Sequence, residues 1–329
     1  MVNKIIKLMF TTATGTDIDK AIALLNANEV VAIPTETVYG LAGNALKNDA
    51  VVKIFEAKNR PFFNPLILHL ASIKQIEAYA FLDDISSKLA NHFMPGPFTL
   101  LLNKKDNVPD LVTAGSNKVA IRIPNHPLTH QLLSQLNYPL AAPSANPFGY
   151  VSPVSAAHVL QGLQGKIQYI LDGGNCIVGL ESTIAEVENG EVILHRAGGL
   201  AIEDIEQVIE KKVVMATHHS KPQTSGQLKS HYATTTDLLQ GNIEELIPLY
   251  KGKSIAIISF EKEYEGIDKQ HQFILSPSSN LNQAAQNLFA TMRILDAMQY
   301  DIILAEVFPP KGLGLAINDR LKRAQVTEK

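Results

Sequence analysis

The chain has 329 residues, enough for two domains of the usual ~100–200 residues each. Hydrophobic residues make up 46% and charged residues 19%, a balance that supplies a sizeable core, and a formal charge of −3 argues against non-specific nucleic-acid binding as the main activity. The one cysteine, Cys176, excludes an intramolecular disulfide and a cysteine zinc cluster. No stretch reaches the ~20 apolar residues of a membrane span, so a soluble, cytoplasmic protein with no membrane partner is expected.

Taken in chain order, 17–28 carries Ile18, Ala21, Ile22 and Leu25 at helical spacing, which predicts an amphipathic helix. The apolar run 30–33 predicts a buried strand stopped by Pro34. Asp49 is expected to cap a helix carrying Val52, Ile54, Phe55 and Ala57, ending near Asn59-Arg60-Pro61. A strand at 65–70, a helix at 83–93 and a turn at 95–97 follow, then strands at 98–103, 119–123 and 139–142. A helix at 153–164 leads to strands at 167–171, 182–187 and 191–195 and a helix at 201–211. Cys176 reads as a buried thiol at a strand edge after a turn, with a nucleophile as the alternative.

Strict βα alternation is absent, which predicts an α/β fold with a twisted, mixed, largely antiparallel sheet and flanking helices. The polar tract 216–235 reads as a linker. A strand at 254–260, a helix at 282–298 and a strand at 301–307 predict a small Rossmann-like C-terminal α/β domain, although no GxGxxG follows its first strand. The expected division is a catalytic domain over 1–212, a linker over 213–250 that folds over the active site, and a C-terminal domain over 251–329.

Chemistry-bearing residues gather at strand exits. Thr35 and Thr37 in PTETVYGL (34–41) offer hydroxyls to a small polar ligand, or bond their own backbone in a turn. Lys58 and Arg60 end a helix, where two close cations suit an anion such as phosphate, or where a solvated basic turn complements the helix dipole. Ser144, Asn146 and Ser152 follow the strand at 139–142, and Ser182 and Arg196 repeat the pattern further on. His69 lies in a short apolar strand. Arg122, a charge in an apolar strand, needs an anionic partner, either a ligand carboxylate or a fixed Asp or Glu. Together these residues describe a cleft for an anionic ligand. The sequence has no GxxxxGK[ST], CxxC, HExxH or GxSxG.

The segments PTETVYGL (34–41), KNRPFFNPL (58–66), PGPFTLL (95–101), VAIRIP (119–124), PSAN (143–146), GLESTI (179–184) and LHRAG (194–198) closely resemble, in this order, the YrdC-like family. Lys58, Arg60, Ser144 and Asn146 match its Lys-x-Arg and Ser-x-Asn hallmark. GLGLAINDRL (312–321), with Arg323, Ala324 and the linker's His231-Tyr232-Ala233, resembles the long, two-domain form of the threonylcarbamoyl-AMP synthases. The linker departs from that form at Thr224-Ser225-Gly226-Gln227, where Ser-Pro-Gly-Met is usual, and at Lys229, the usual first tyrosine.

The resemblance implies a transferase, a nucleotidyltransferase of tRNA processing. Threonine's amine would capture carbon dioxide from bicarbonate, and the carbamate oxygen would attack the α-phosphate of ATP, expelling pyrophosphate without a protein nucleophile. It implies Lys58 and Arg60 as catalytic residues. Arg60, Asn64, Lys118, Ser144, Asn146, Ser152, Arg196 and Tyr232 would bind ATP, and Thr35, Thr37, His69, Arg122, Ala142 and Ser182 would bind threonine. Mg²⁺ would accompany ATP with no protein ligand assigned. The product would pass to a tRNA threonylcarbamoyltransferase. A basic cleft also leaves weak RNA binding open, and the alternatives are a carbamoyl-transfer module or an RNA-binding regulator.

Overall fold

The computed structural model describes residues 11–216 and 232–325. Among these residues the strands form two sheets. The larger has eleven strands: β1 (Ala13–Gly15), β2 (Val31–Ile33), β3 (Gly40–Asn44), β4 (Ile67–His69), β5 (Phe98–Asn103), β6 (Lys118–Arg122), β7 (Leu140–Ala141), β8 (Tyr169–Leu171), β9 (Thr183–Glu188), β10 (Glu191–Arg196) and β11 (Val214–Met215). They lie in the order β1-β8-β2-β3-β7-β4-β6-β5-β9-β10-β11. The sheet is mixed, as expected, but its balance is more even than largely antiparallel. Five junctions are parallel and five antiparallel.

The second sheet holds β12 (Leu238–Gly241), β13 (Ile255–Ser259), β14 (Gln272–Ile274) and β15 (Ile302–Glu306) in the order β12-β15-β13-β14. All its junctions are parallel. Its two central strands, β13 and β15, are almost wholly apolar, as suits strands covered on both faces. Within 213–250 the structure describes β11, β12 and the short helix Ile243–Leu246. The departures at 224–227 and 229, and His231, lie outside the described residues.

Local chemistry sets the helix ends. Asp17 caps helix Ile18–Asn26 by accepting from the Lys20 amide. Helix Asn48–Lys58 begins at Lys47, which makes no side-chain cap bond, so Asp49 lies in the first turn instead of capping it. A carboxylate there still complements the helix dipole. Asn59 ends the helix in the left-handed region, φ 52° and ψ 41°, a conformation asparagine tolerates well. Cys176 is buried in a loop, not at a strand edge. Burial pushes its thiol up to about 12, which removes it as a nucleophile at neutral pH.

One hydrophobic cluster runs through both sheets, joining Ile54, Phe98 and Leu180 with Leu288, Phe289 and Leu321. Polar contacts cross the same boundary. From helix Leu281–Ala297, Arg293 donates to the Val151 and Ser152 carbonyls, and its guanidinium lies 4.8 Å from the Tyr150 ring centroid. The Tyr150 hydroxyl donates to Asp296 Oδ2 at 2.7 Å.

Candidate active site

The order of the larger sheet brings distant strand ends to one edge. β4 and β6 run parallel with His69 opposite Arg122. β7 pairs with β4, which sets the exit at Ala142-Pro143-Ser144 beside them, and Gly40 bridges to Ser144. β5 and β9 are parallel, placing Ser182 just before β9, and β10 ends at Arg196 after a register shift. A cleft opens here, lined by Thr35, Arg60, His69, Arg122, Ala142, Ser144, Ser182, Arg196 and Tyr232 from the expected set, and also by Val38, Gly40, Ile67, Pro143 and Glu181.

Three guanidinium groups, Arg60, Arg122 and Arg196, therefore face one concavity, each less than a tenth exposed. Arg60 donates from Nε to the Asn64 carbonyl at 3.3 Å and from Nη2 to the Pro65 carbonyl at 3.0 Å. Burial first, and then nearby Arg196, lowers it to about 9. Arg196 clasps the Ser182 carbonyl through Nε (3.1 Å) and Nη2 (2.8 Å), and burial lowers it to about 10. Both remain cationic at neutral pH, and an anion in the cleft relieves their burial.

Arg122 has a fixed carboxylate beside it. Its Nη2 lies 2.8 Å from Glu36 Oε1, and both side chains are buried. The approach is an ion pair without hydrogen-bond alignment: among the described residues Nε and Nη2 of Arg122 and both Glu36 oxygens have no hydrogen bond. Glu36 was missed in the sequence because hydroxyls dominate its motif, although a carboxylate just past a buried strand was itself a signal.

His69 is held neutral. Burial first, and then Arg122, lowers it to about 3. Its Nδ1 lies 3.1 Å from the Ile67 carbonyl, which only accepts, so Nδ1 carries the proton and Nε2 is left as an acceptor. Thr35 Oγ1 donates to the Val38 carbonyl at 2.7 Å and contacts Thr37 Oγ1 at 2.8 Å. The threonines thus make the backbone turn and one of them also faces the cleft.

The remaining expected residues stand outside the lining. Lys58 is buried and its ammonium donates to the Ser144 and Asn146 carbonyls, which ties down the loop between them. Burial holds it well below the usual lysine value. Asn64 is buried, and among the described residues its side-chain amide has no hydrogen bond. Asn146 donates to the Tyr150 carbonyl at 2.7 Å, and Ser152 Oγ donates to Glu181 at 2.6 Å. Lys118 sits at the opposite end of β6 from Arg122, where Glu186 and Glu188 engage its ammonium, so its side chain is not part of the cleft.

Tyr232 closes one side. It is fully buried in the left-handed region at φ 66°, its ring stacked on Phe289 with centroids 5.5 Å apart. Burial raises its phenol above the usual range. Among the described residues no group of three or more His, Cys, Asp and Glu side chains could hold a metal. The cleft's own carboxylate, Glu181, is committed to Ser152 and Arg320. The arrangement gathers fixed cations, a neutral imidazole and hydroxyls around one cleft, and the work it offers is positioning and charge stabilisation.

Comparison with known proteins gives the same picture. Residues 23–198 match the family model described as telomere recombination (Sua5/YciO/YrdC), and 200–325 match the C-terminal domain of threonylcarbamoyl-AMP synthase. The chain is 40% identical over 320 residues to the threonylcarbamoyl-AMP synthase of Pyrococcus abyssi, covering 92% of each. It is 41% identical over 319 residues to that of Bacillus subtilis, covering 93% of this chain and 92% of the relative. The crystal structure of P. abyssi Sua5 complexed with L-threonine superposes with a TM-score of 0.87 at 37% identity, covering 96% of this chain and 97% of the other.

Proposed function

The chain belongs to the two-domain threonylcarbamoyl-AMP synthase family, and from that premise we propose that its cleft joins L-threonine, carbon dioxide from bicarbonate and ATP into threonylcarbamoyl-AMP and pyrophosphate. It is an enzyme of nucleotidyl transfer, and threonine is its amino-acid substrate. The observation that carries the reading is the meeting of Arg60, Arg122 and Arg196 in one cleft beside a neutral His69.

Arg122 takes the α-carboxylate of threonine, with Thr35, Ser182 and the Ala142 backbone around the rest. Thr37 supports Thr35 from behind. The amine loses its ammonium proton to water, and His69 Nε2 accepts a hydrogen bond from the neutral amine, orienting the nitrogen lone pair to attack carbon dioxide. The new N–C bond gives a carbamate, and the released proton passes to water. A carbamate oxygen then attacks the α-phosphorus, and the bond to pyrophosphate breaks. Arg60 and Arg196 take up charge on the phosphates, which is where such a reaction needs it.

Ser144, Asn146 and Ser152 border the nucleotide side, and Lys58 fixes the loop carrying Ser144. The Asn64 amide, without a partner among the described residues, is available to the nucleotide. Tyr232 packs against the bound base or ribose. Mg²⁺ would accompany ATP and supply charge neutralisation on its phosphates, with no protein ligand assigned. The labile product passes to a tRNA threonylcarbamoyltransferase for the adenosine beside the anticodon, in the cytoplasm.

The test is incubation with ATP, threonine and bicarbonate, followed by pyrophosphate detection and mass spectrometry of the adenylate. Pyrophosphate no higher than in a threonine-free control overturns the assignment. Arg60→Ala is expected to lower kcat/KM about 100-fold or more, the scale of losing one charge-stabilising donor.

A further inference from the structure

The last described helix, Gly314–Ala324, belongs to the second domain, yet it sends Arg320 into the wall of the cleft. Arg320 is 0% exposed, which for an arginine demands a built environment. Its Nε donates to Glu181 Oε2 at 2.8 Å, its Nη2 to the Ala197 carbonyl at 3.0 Å and its Nη1 to Asp319 Oδ2 at 2.7 Å. The guanidinium lies 5.1 Å from the Tyr232 ring centroid. Asp319 also holds Arg323 Nε at 2.9 Å, and Arg320 thus bridges Asp319 on its own helix and Glu181 in the wall of the cleft.

Glu181 lines the cleft beside Arg196 and takes the Ser152 hydroxyl on its other oxygen. Burial alone would raise its carboxyl, but Arg320 and then Arg196 hold it down at about 2. The wall therefore carries an ionised carboxylate where the proposed nucleotide brings several negative charges. Left uncompensated, it would repel phosphate and draw Arg196 towards itself.

We propose that the second domain is a working part of the nucleotide site: Arg320 is a positioning residue that neutralises Glu181 and so keeps the wall beside Arg60 and Arg196 from repelling the phosphates. The inference rests on the reading of this cleft as an ATP site. It assigns the C-terminal domain a task at the reaction centre, delivered by one side chain through one carboxylate.

The experiment measures ATP binding by calorimetry and the KM values for ATP and threonine in the full-length protein, its Arg320→Met variant and the Glu181→Gln/Arg320→Met double variant. The expectation is that Arg320→Met weakens ATP binding about tenfold or more while the threonine KM moves less than about threefold. The double variant, with no lone charge left in the wall, recovers ATP binding to within about threefold of wild type. A double variant as weak as the single one overturns the proposal, because a purely structural strut is not restored by removing its partner. An ATP affinity unchanged in Arg320→Met overturns it too. Should Arg320→Met fail to fold, the double variant decides: folded with near-wild-type ATP affinity it supports the proposal, and unfolded or unable to bind ATP it overturns it. A wild type that binds no ATP defeats the function proposed for the cleft, whereas equal binding by wild type and Arg320→Met defeats this inference alone.

Discussion

In the function proposed for the cleft, Arg122 holds a substrate carboxylate without collapsing onto its own counter-charge. The Glu36 ion pair at 2.8 Å lacks hydrogen-bond alignment, so the guanidinium is anchored while its N–H groups remain available. Glu36→Gln is expected to raise the threonine KM about tenfold with little change for ATP. Equal rises in both KM values would mean that Glu36 shapes the strand exit and not Arg122. His69 gives a second residue-scale expectation. Its folded value near 3 lies below the unfolded ~6.5, so the unfolded chain binds the extra proton between these pH values. Stability is complete above pH ~6.5 and falls as pH drops towards 3, by up to about 1.4 kcal/mol per pH unit from this group. His69→Gln, compared with wild type by denaturant unfolding at several pH values, should have a shallower slope in that window. The cleft residues themselves were legible as hydroxyls and cations in apolar surroundings. What Lys58 touches was not, because a helix-terminal lysine reads the same whether it meets a ligand or two backbone carbonyls.

Elements were legible where one face was apolar and ends were marked. Helices Asp84–Phe93 and Leu281–Ala297 and strands β5, β9 and β10 follow from period and capping. β3 did not, since Gly-Leu-Ala-Gly-Asn has neither alternation nor β-branched residues and is a strand only because β2 and β7 flank it. β11 and β12 escaped for a related reason, being short strands on either side of a polar tract. Close packing between elements also leaves a signature in glycine. A Cβ on Gly198 would come within 2.2 Å of the Glu181 carbonyl oxygen and 2.5 Å of the Ser182 carbonyl carbon. Gly198→Ala must therefore push the end of β10 away from the turn that carries Glu181 and Ser182. A loss of about 1–3 kcal/mol in stability is expected, with both KM values raised. Wild-type kinetics in Gly198→Ala would show that this turn tolerates displacement.

At the scale of the whole molecule, the two sheets share one apolar cluster and are bound by buried arginines from the second domain. Calorimetry at neutral pH should accordingly show one cooperative unfolding transition, not two, and two separated peaks would contradict a shared core. Acid should weaken this union: Glu181, near 2 when folded against 4.5 ordinarily, contributes stability above about pH 4.5 that is lost as pH falls towards 2. The division into two domains could be read from a polar tract between apolar patterns, but the bond between them could not. Arg293, Asp296 and Arg320 are spaced like ordinary helix-surface charges, and only the packed structure turns them inward. The same union makes covalent continuity dispensable. With Tyr232 seated on Phe289 and the halves joined by core and ion pairs, a chain cut within 217–231 becomes a pair of complementing fragments, and two separately encoded pieces should assemble into one working enzyme.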